Sequence, residues 1–316
     1  QLIERGYEVR ALVRQSERAL IGLDLDIVRA DITDLTDLSS AFWGVDIVYH
    51  LAAHVSILGG EWDKLHRVNV QGTQNVIEAC HAASVSTLVH FSSIHALEQT
   101  PFDQPVNENN PLVESRRGQG NDYDYSKALA EKLVRQVDGD SLDTRIIYPT
   151  AVIGPQDFHE SLMGQVIQKL SQGRLPTLVS GGFDWVDARD VAWAAIEAAE
   201  KGRNKDRFML SGHYRNMHEV AAVVAELSGV PAPRFSSPVW LARMFTPMMG
   251  AWASLTGVPP LYTQSSLTAL KANPRMSHDR AADKLGYEPR HFRETIRDAL
   301  KFYAAQAQLK SSAHVI

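Results

Sequence analysis

The residues best suited to chemistry lie in the stretch YDYSKALAEKLV, where Tyr123 and Lys127 are four positions apart. On a helix this spacing puts both side chains on one face, whereas Tyr125 and Lys127 would not share a face. An ammonium close to a phenol favours the phenolate and lowers the pKa of the tyrosine. Such a tyrosine can give a proton to a carbonyl oxygen, or take one from an alcohol. A surface helix can hold the same pair by chance, so the interpretation needs other residues.

Further stretches put small or polar side chains at the ends of predicted strands. In LVHFSSIHAL, Ser92 and Ser93 follow a strand, where a hydroxyl can bond a substrate oxygen or simply cap a turn. In YHLAAHV, Ala52 and Ala53 follow another strand and allow the close approach of a flat ligand. Asn69 falls near the middle of a predicted helix, where asparagine is unfavourable, which indicates a structural or proton-relay role.

These side chains need a sheet to position them, and the pattern of the chain predicts one. Apolar, β-branched runs predict strands at Val9–Val13, Asp26–Ala30, Ile47–Leu51, Thr87–Phe91, Thr144–Tyr148 and Arg207–Leu210. Amphipathic stretches predict helices between them, at Leu35–Phe42, Glu61–Ala83, Tyr123–Val137 and Ala188–Lys201. This alternation indicates an α/β fold with a doubly wound parallel sheet, which binds ligands at the carboxyl ends of its strands.

The pattern changes after about residue 211. Predicted helices there lie at His218–Ser228, Ser277–Leu285 and Phe292–Gln306, separated by a proline-rich and an apolar stretch. We therefore expect a doubly wound domain at residues 1–213 and a smaller, mostly helical substrate cap at residues 214–316. Residues 155–184 of the first domain are expected to contribute to the substrate side.

Composition and charge exclude several functional classes. The 316 residues carry a net charge of −5 and no basic stripe with interleaved aromatics, so we expect no nucleic acid partner. No cluster has metal-ligand spacing, so we expect no metal. Prolines and glycines interrupt the apolar stretch Val239–Leu261, which predicts a buried helix or an apolar pocket wall rather than a membrane contact. One cysteine, Cys80, excludes an internal disulfide and, without a visible secretory signal, favours a cytoplasmic location.

In their order and spacing, these residues resemble the extended short-chain dehydrogenase/reductase family over nearly the whole chain. The family's Tyr-x-x-x-Lys pair matches Tyr123 and Lys127, its catalytic serine matches Ser93, and its helix asparagine matches Asn69. WVDARDVA and KLGYEP match later family signatures. The resemblance implies a Rossmann fold and an NAD(P)-dependent enzyme. Tyr123 would be the general acid/base, Lys127 would lower its pKa and hold the nicotinamide ribose, and Ser93 would orient the substrate oxygen.

The resemblance also implies where the cofactor would be bound. Asp31 in RADITD matches the acidic residue that lies against the adenine, and Pro149 in YPTAVIGP matches the proline at the nicotinamide. The implied contacts are Arg14, Asp31, Ile32, Leu51, Ala52, Ala53, Tyr123, Lys127, Pro149, Thr150 and Val152. Arg14 ends a strand where a basic residue favours the 2′-phosphate of NADP, so NADP is the expected cofactor and NAD the alternative. A solvated arginine is the other interpretation of Arg14.

One family feature is missing from the sequence. The family's glycine-rich pyrophosphate loop, Thr-Gly-x-x-Gly-x-x-Gly, would lie just before Gln1. The opening QLIERGYEVRALVR is typical of a helix end that stops at Gly6 and is followed by a strand, and no later stretch supplies the loop. We therefore expect the sequence to be an incomplete record of a protein that binds the cofactor.

Two branches of the family compete for the substrate. Nucleotide-sugar epimerases and dehydratases usually carry an arginine just before the WVDARD-like signature, and VSGGFDWVDARD has none there. The chain therefore resembles the dihydroflavonol 4-reductase-like branch, with its 3β-hydroxysteroid dehydrogenase-like enzymes for apolar ketones and alcohols. The expected substrate contacts are His54, His95 and Trp185.

Several alternatives stay open at this point. A nucleotide-sugar epimerase or dehydratase is the first alternative function. A non-catalytic dinucleotide-binding regulator is the second, although a regulator has no need of Ser93, Tyr123 and Lys127. The stretch with Trp240, Met244, Phe245, Met248, Met249 and Trp252 fits an apolar pocket or an ordinary core. The protein is expected to be a homodimer through paired helices, or a monomer.

Overall fold

The computed structural model describes residues 1–56, 60–116, 122–175, 177–241, 270 and 272–313. The chain forms two compact units, each built from separate stretches of sequence. The first contains Gln1–Pro149, Val191–Leu210 and Met276–Glu288, and the second contains Thr150–Asp190, Ser211–Arg275 and Pro289–Ile316. The chain therefore alternates between the units, whereas the sequence pattern predicts a single division after residue 213.

Parallel strands form the sheets of the first unit. One sheet pairs β1 (Arg10–Val13) with β2 (Asp26–Arg29). The other has the order β3 (Ile47–His50), β4 (Thr87–Phe91), β5 (Asp143–Pro149) and β9 (Asp206–Leu210). Strands β4 and β5 are buried along most of their length. This burial on both faces explains why the strands contain consecutive apolar residues, such as Leu88–Val89 and Ile146–Ile147, rather than a strict alternation with polar ones.

Helices join these strands. The first, α1 (Leu35–Ala41), begins at Asp34, whose carboxylate accepts the first free backbone N–H groups. The next is a long helix in three parts: α2 (Trp62–Leu65), a π-helical segment (His66–Gln71) and α3 (Gly72–Ala82). The helix that follows β4 is α4 (Asp122–Arg135). Near the end of the first unit lies α8 (Asp279–Leu285).

Close packing fixes the long helix against the sheet. Gly72 at the start of α3 faces Ile32, and a Cβ at this glycine would lie 2.7 Å from the Ile32 side chain. A side chain at this position would require the end of the Ile32 side chain to move, and glycine avoids that shift. Cys80 on the same helix is fully buried, and burial raises the pKa of its thiol to about 12. The thiol is therefore an inert core group.

The second unit combines short strands with longer helices. Its three-stranded sheet has the order β10 (His213–Asn216), β8 (Gly182–Asp187) and β6 (Ala151–Ile153), and β7 (Thr177–Val179) pairs with β11 (Phe235–Ser237). Its helices include α5 (Leu162–Ser171), α7 (Met217–Ser228) and α9 (Phe292–Ala313). Helix α6 (Ala188–Lys201) follows β8 and belongs mostly to the first unit. Side chains such as Ile167, Trp185 and Val220 form the core of the second unit. The second unit therefore contains more strand than the helical cap that we predict.

The α/β class and the parallel sheet are confirmed, and the predicted strands of the first unit match the observed ones to within one residue at each end. The predicted pocket wall cannot be compared in full, because Met244, Phe245, Met248, Met249 and Trp252 lie outside the described residues. Trp240 is described and is 64% exposed. None of the described helices combines the length and the apolar character needed to cross a membrane.

Candidate functional site

Ser92 and Ser93 follow β4 directly, at the carboxyl end of that strand. The Ser93 hydroxyl oxygen accepts a hydrogen bond from the His95 backbone N–H at 3.2 Å and so caps the short turn that follows. The same side chain is hydrogen-bonded to the Tyr123 hydroxyl. The structure thus brings Ser93 and Tyr123 together, and the turn cap and the contact with Tyr123 coexist in one residue.

Burial dominates the acidity of Tyr123. It raises the pKa of the hydroxyl to about 12, although the hydrogen bond with Ser93 acts in the opposite direction. The net pKa of Tyr123 is therefore raised rather than lowered as we predict, because burial outweighs the groups that favour the phenolate. The Lys127 ammonium is bonded to the Phe91 carbonyl oxygen. A tyrosine with so high a pKa is protonated at neutral pH, which suits a proton donor.

The neighbouring Tyr125 has a different environment. Its ring stacks on Trp62 with the centroids 5.7 Å apart, and the Arg116 guanidinium lies 4.4 Å from the centre of the same indole. This stack accounts for Tyr125 by packing alone. Tyr123 is therefore the tyrosine of this helix that meets the strand-end serine.

Lys127 lies one turn beyond Tyr123 on α4 and is 3% exposed. Its ammonium donates a hydrogen bond to the Phe91 carbonyl oxygen at 2.7 Å, the one bond that the described residues offer it. Burial lowers the pKa of Lys127 to about 8, whereas the carboxylate of Glu131 acts to raise it. An ammonium carries three N–H donors, so two remain for a ligand with paired hydroxyls, such as a ribose.

Asn69 fastens the loop that follows β3. Its amide oxygen accepts a hydrogen bond from the His54 backbone N–H at 2.7 Å. Its amide nitrogen donates to the His54 carbonyl oxygen at 3.0 Å and to the Ser126 hydroxyl at 2.9 Å. The π-helical segment around Asn69 therefore ties the loop to α4. This clamp explains a buried asparagine within a helix, and a proton-relay role stays a prediction.

The loop held by Asn69 presents small and apolar atoms. Leu51 is 60% exposed, Ala52 is exposed and Ala53 is half-buried. An exposed leucine beside two alanines, on a loop fixed at His54, offers a flat apolar surface to a ring. This geometry fits the predicted contact with a cofactor.

Two charged residues lie at the ends of β1 and β2. Asp31 accepts hydrogen bonds from the Thr33 backbone N–H and hydroxyl, both at 2.9 Å, and these bonds lower the pKa of its carboxyl. Arg14 places a guanidinium nitrogen 4.0 Å from Asp31, and its side chain is 62% exposed. Ile32 is buried in the core beside them. Both charges are thus available to a polar ligand at this edge.

His95 is a further polar group beside Ser93 and Tyr123. Its ring lies edge-on to Tyr123, with the ring centres 6.1 Å apart. Burial opposes a charged imidazole, but Asp124, 3.3 Å from Nδ1, acts in the other direction, and the net pKa of His95 is raised. The other predicted histidine, His54, has its ring nitrogen 3.4 Å from Glu61. Of the two, His95 is the one that meets the tyrosine.

Sequence reasoning missed a buried network on α4. Glu131, one turn beyond Lys127, accepts hydrogen bonds from Ser92, Tyr148 and Arg135. The available signal was the repeated spacing of four residues that places Tyr123, Lys127, Glu131 and Arg135 on one face of the helix. Asp124, the partner of His95, was missed as well. The role of Asp124 depends on His95, which lies in the turn after β4, far from Asp124 in the sequence.

The remaining predicted residues lie at the end of β5 or in the second unit. Pro149 ends β5, Thr150 is buried, and Val152 in β6 is 38% exposed. Trp185 is 2% exposed, and its indole N–H donates to the Arg215 carbonyl oxygen at 3.2 Å. Trp185 is thus a core residue, and its burial counts against the predicted substrate contact.

The charged residues of the stretch WVDARD form ion pairs. Asp187 accepts two hydrogen bonds from the Arg189 guanidinium, at 2.9 and 2.7 Å. Arg189 also donates to Asp298 on α9 at 2.9 Å, and Asp190 accepts from Arg290 at 2.7 Å. The stretch therefore holds the second unit together. Among the residues that the structure describes, no group of three or more His, Cys, Asp or Glu could hold a metal ion.

Comparison with known proteins identifies relatives along the whole chain. The model of the NAD dependent epimerase/dehydratase family matches residues 1–211. A sterol demethylase protein B from Methylococcus capsulatus is 31% identical over 98% of this chain and 94% of its own length. A 2-alkyl-3-oxoalkanoate reductase from Stenotrophomonas maltophilia is 29% identical over 75% of this chain and 73% of its own. The human 3 beta-hydroxysteroid dehydrogenase type 7 is 28% identical over 83% of this chain and 77% of its own.

A solved structure supports the same assignment. The crystal structure of gox2253 superimposes with a TM-score of 0.82 at 28% sequence identity, over 96% of this chain and 93% of that one. The similarity thus extends across both units of the chain.

Proposed function

The chain belongs to the NAD dependent epimerase/dehydratase family, and we propose that it reduces an apolar ketone to an alcohol, or catalyses the reverse oxidation. Its relatives are reductases and dehydrogenases, and it is an NAD(P)-dependent oxidoreductase of the extended short-chain type. The observation that carries the proposal is the hydrogen-bonded pair of Ser93 and Tyr123 at the end of β4, with Lys127 one turn away.

The residues present fit a nicotinamide dinucleotide at several points. The two free N–H donors of Lys127 suit the hydroxyls of a ribose. The exposed atoms of Leu51 and Ala52 suit the face of a ring, and Asp31 suits an adenosine. When bound, the cofactor supplies or accepts the hydride. Side chains of the protein orient the substrate and transfer the proton.

In the direction of reduction, Ser93 donates a hydrogen bond to the substrate carbonyl and so orients it. Tyr123, protonated at neutral pH, transfers its hydroxyl proton to the carbonyl oxygen as that oxygen becomes an alcohol. The charge left on the phenolate is stabilised by the Lys127 ammonium. Oxidation runs these proton steps in reverse.

We propose NADP as the preferred cofactor, with NAD as the alternative. The exposed guanidinium of Arg14 at the end of β1 is suited to a 2′-phosphate. Asp31 lies within 4.0 Å and partly balances that charge, so the preference is expected to be moderate rather than absolute. We also propose a cytoplasmic location, with a homodimer or a monomer as the active form.

The experiment for the proposed function is a comparison of substrates. The oxidation of NADPH is followed with a 3-ketosteroid, a 2-alkyl-3-oxoalkanoate and a UDP-sugar. Net oxidation with one of the ketones is the expected result. Conversion of the UDP-sugar to its epimer without net oxidation would identify the nucleotide-sugar alternative. Binding of the cofactor without any reaction, unchanged in Tyr123→Phe, would instead identify a non-catalytic regulator.

A further inference from the structure

Glu131 is a fully buried carboxylate one helical turn behind Lys127. Ser92 donates a hydrogen bond to one of its oxygens at 2.5 Å. The other oxygen accepts from the Arg135 guanidinium at 2.8 Å and from the Tyr148 hydroxyl. Donors on α4, on β5 and after β4 therefore converge on this one side chain.

A buried charge of this kind is costly unless it is compensated, and replacing a whole buried ion pair by apolar residues is often neutral for stability. The network alone therefore does not explain why a carboxylate stands at this position. Its place in the helix offers a reason. Tyr123, Lys127 and Glu131 follow one another at intervals of four residues, so the carboxylate lies on the same face as the acid/base pair.

The other groups around Lys127 do nothing to keep it charged. His50 on β3 and His90 on β4 are both buried, and burial lowers the pKa of His50 to about 3 and that of His90 well below its usual range. Both imidazoles are therefore neutral at physiological pH. The Phe91 carbonyl accepts one hydrogen bond from the ammonium but carries no charge. Arg135, Tyr148 and Ser92 face Glu131, and its charge is the one that opposes the effect of burial on Lys127.

We propose that Glu131 is a positioning residue that keeps Lys127 in its ammonium form, and so sets the charge of the site from one turn behind it. The inference rests on the proposed function, in which Lys127 must be charged to stabilise the Tyr123 phenolate. Glu131 touches neither substrate nor cofactor in this account. It acts through the electrostatic field at Lys127, with Ser92 and Tyr148 holding its oxygens in place.

The test measures the titration of Lys127 itself, by nuclear magnetic resonance of lysine ε-carbons in the full chain. The Lys127 signal is assigned from its disappearance in Lys127→Arg. Glu131→Gln keeps the size and most hydrogen bonds of the side chain but removes its charge. The expected result is a fall in the pKa of Lys127 by about one to two units. An unchanged pKa in the folded variant would overturn the proposal.

Arg135→Gln is the matched control, because it removes the opposite charge from the same network. The expected result is a pKa of Lys127 close to that of the wild-type protein, because burial and the charge of Glu131 are the causes that act on it. A fall as large as in Glu131→Gln would mean that loosening of the network, not charge, moves the titration, and would overturn the proposal. If Glu131→Gln does not fold, Glu131→Met replaces it, because an apolar side chain of similar length also removes the charge, and an unchanged pKa of Lys127 in that variant overturns the proposal.

The titration is made without substrate, so its outcome is independent of the proposed function. If Glu131→Gln lowers the pKa of Lys127 but the wild-type protein reduces no carbonyl compound, the role of Glu131 is supported and the proposed function is wrong. If the wild-type protein is an active reductase but Glu131→Gln leaves the pKa of Lys127 unchanged, the proposed function is supported and the role of Glu131 is wrong.

Discussion

Raising the pH from below 8 to above 8 should slow the proposed reduction, because it removes the charge of Lys127. Burial places the pKa of this residue at about 8, well below the ordinary value of 10.5 for lysine. The charged fraction then falls from about nine-tenths at pH 7 to about one-tenth at pH 9, so the rate should fall roughly tenfold. Tyr123, with a pKa of about 12, does not titrate in this range. The assay is the initial rate of NADPH oxidation at a saturating ketone concentration.

Lys127→Arg is the control for this prediction. A guanidinium stays charged throughout the range, so the variant should be slower but should lose the fall between pH 7 and pH 9. The reasoning would be refuted by a wild-type rate that stays flat up to about pH 10. It would also be refuted by the same fall in Lys127→Arg, because another group would then be responsible.

Three further predictions concern single side chains. Tyr123→Phe should lower turnover by about 10²- to 10⁴-fold and leave the dissociation constant for NADPH within a few-fold, as measured by tryptophan fluorescence; unchanged turnover would remove Tyr123 as the proton donor. Arg14→Asp should reduce the ratio of kcat/KM for NADPH over NADH by about tenfold or more, which corresponds to about 1.4 kcal/mol. An unaltered ratio would mean that Arg14 is a solvated surface residue that does not contact the cofactor. Lys127→Met should abolish turnover yet raise the free energy of unfolding at pH 7 by about 2 kcal/mol in urea denaturation. The reason is that a buried charge is removed at the cost of one hydrogen bond to Phe91, and a less stable variant would contradict the low pKa of Lys127.

The sequence was sufficient to place the helix that carries the site. The prediction of Tyr123–Val137 lies within two residues of the observed α4, because a repeat of apolar positions over four turns is a strong signal. The common face of Tyr123 and Lys127 follows from the helix alone. The meeting of Tyr123 with Ser93 follows from the resemblance, since the two residues lie thirty positions apart.

The pKa values of these residues could not be predicted from the sequence alone. A pKa depends on burial and on neighbours contributed by other elements, such as Phe91 at the end of β4 and the partners of Glu131. The sequence pattern therefore predicted a lowered pKa for Tyr123, whereas the structure has it raised.

The short strands of the second unit were also missed. Strands β6, β7 and β11 have three residues each, too few for a periodic pattern to be visible. Their partners are distant in the sequence, as in the pairing of Phe235 with Thr177. Only the tertiary structure brings such stretches into register.

The central claim is that Tyr123 protonates a carbonyl oxygen while a hydride reaches the carbonyl carbon. The most direct test is to incubate the protein with a 3-ketosteroid or a 2-alkyl-3-oxoalkanoate and NADPH that carries deuterium at the transferable position. The account predicts an alcohol with one deuterium on the former carbonyl carbon, formed by the wild-type protein and nearly absent with Tyr123→Phe. An alcohol without deuterium, or equal deuterium transfer by both proteins, would contradict it.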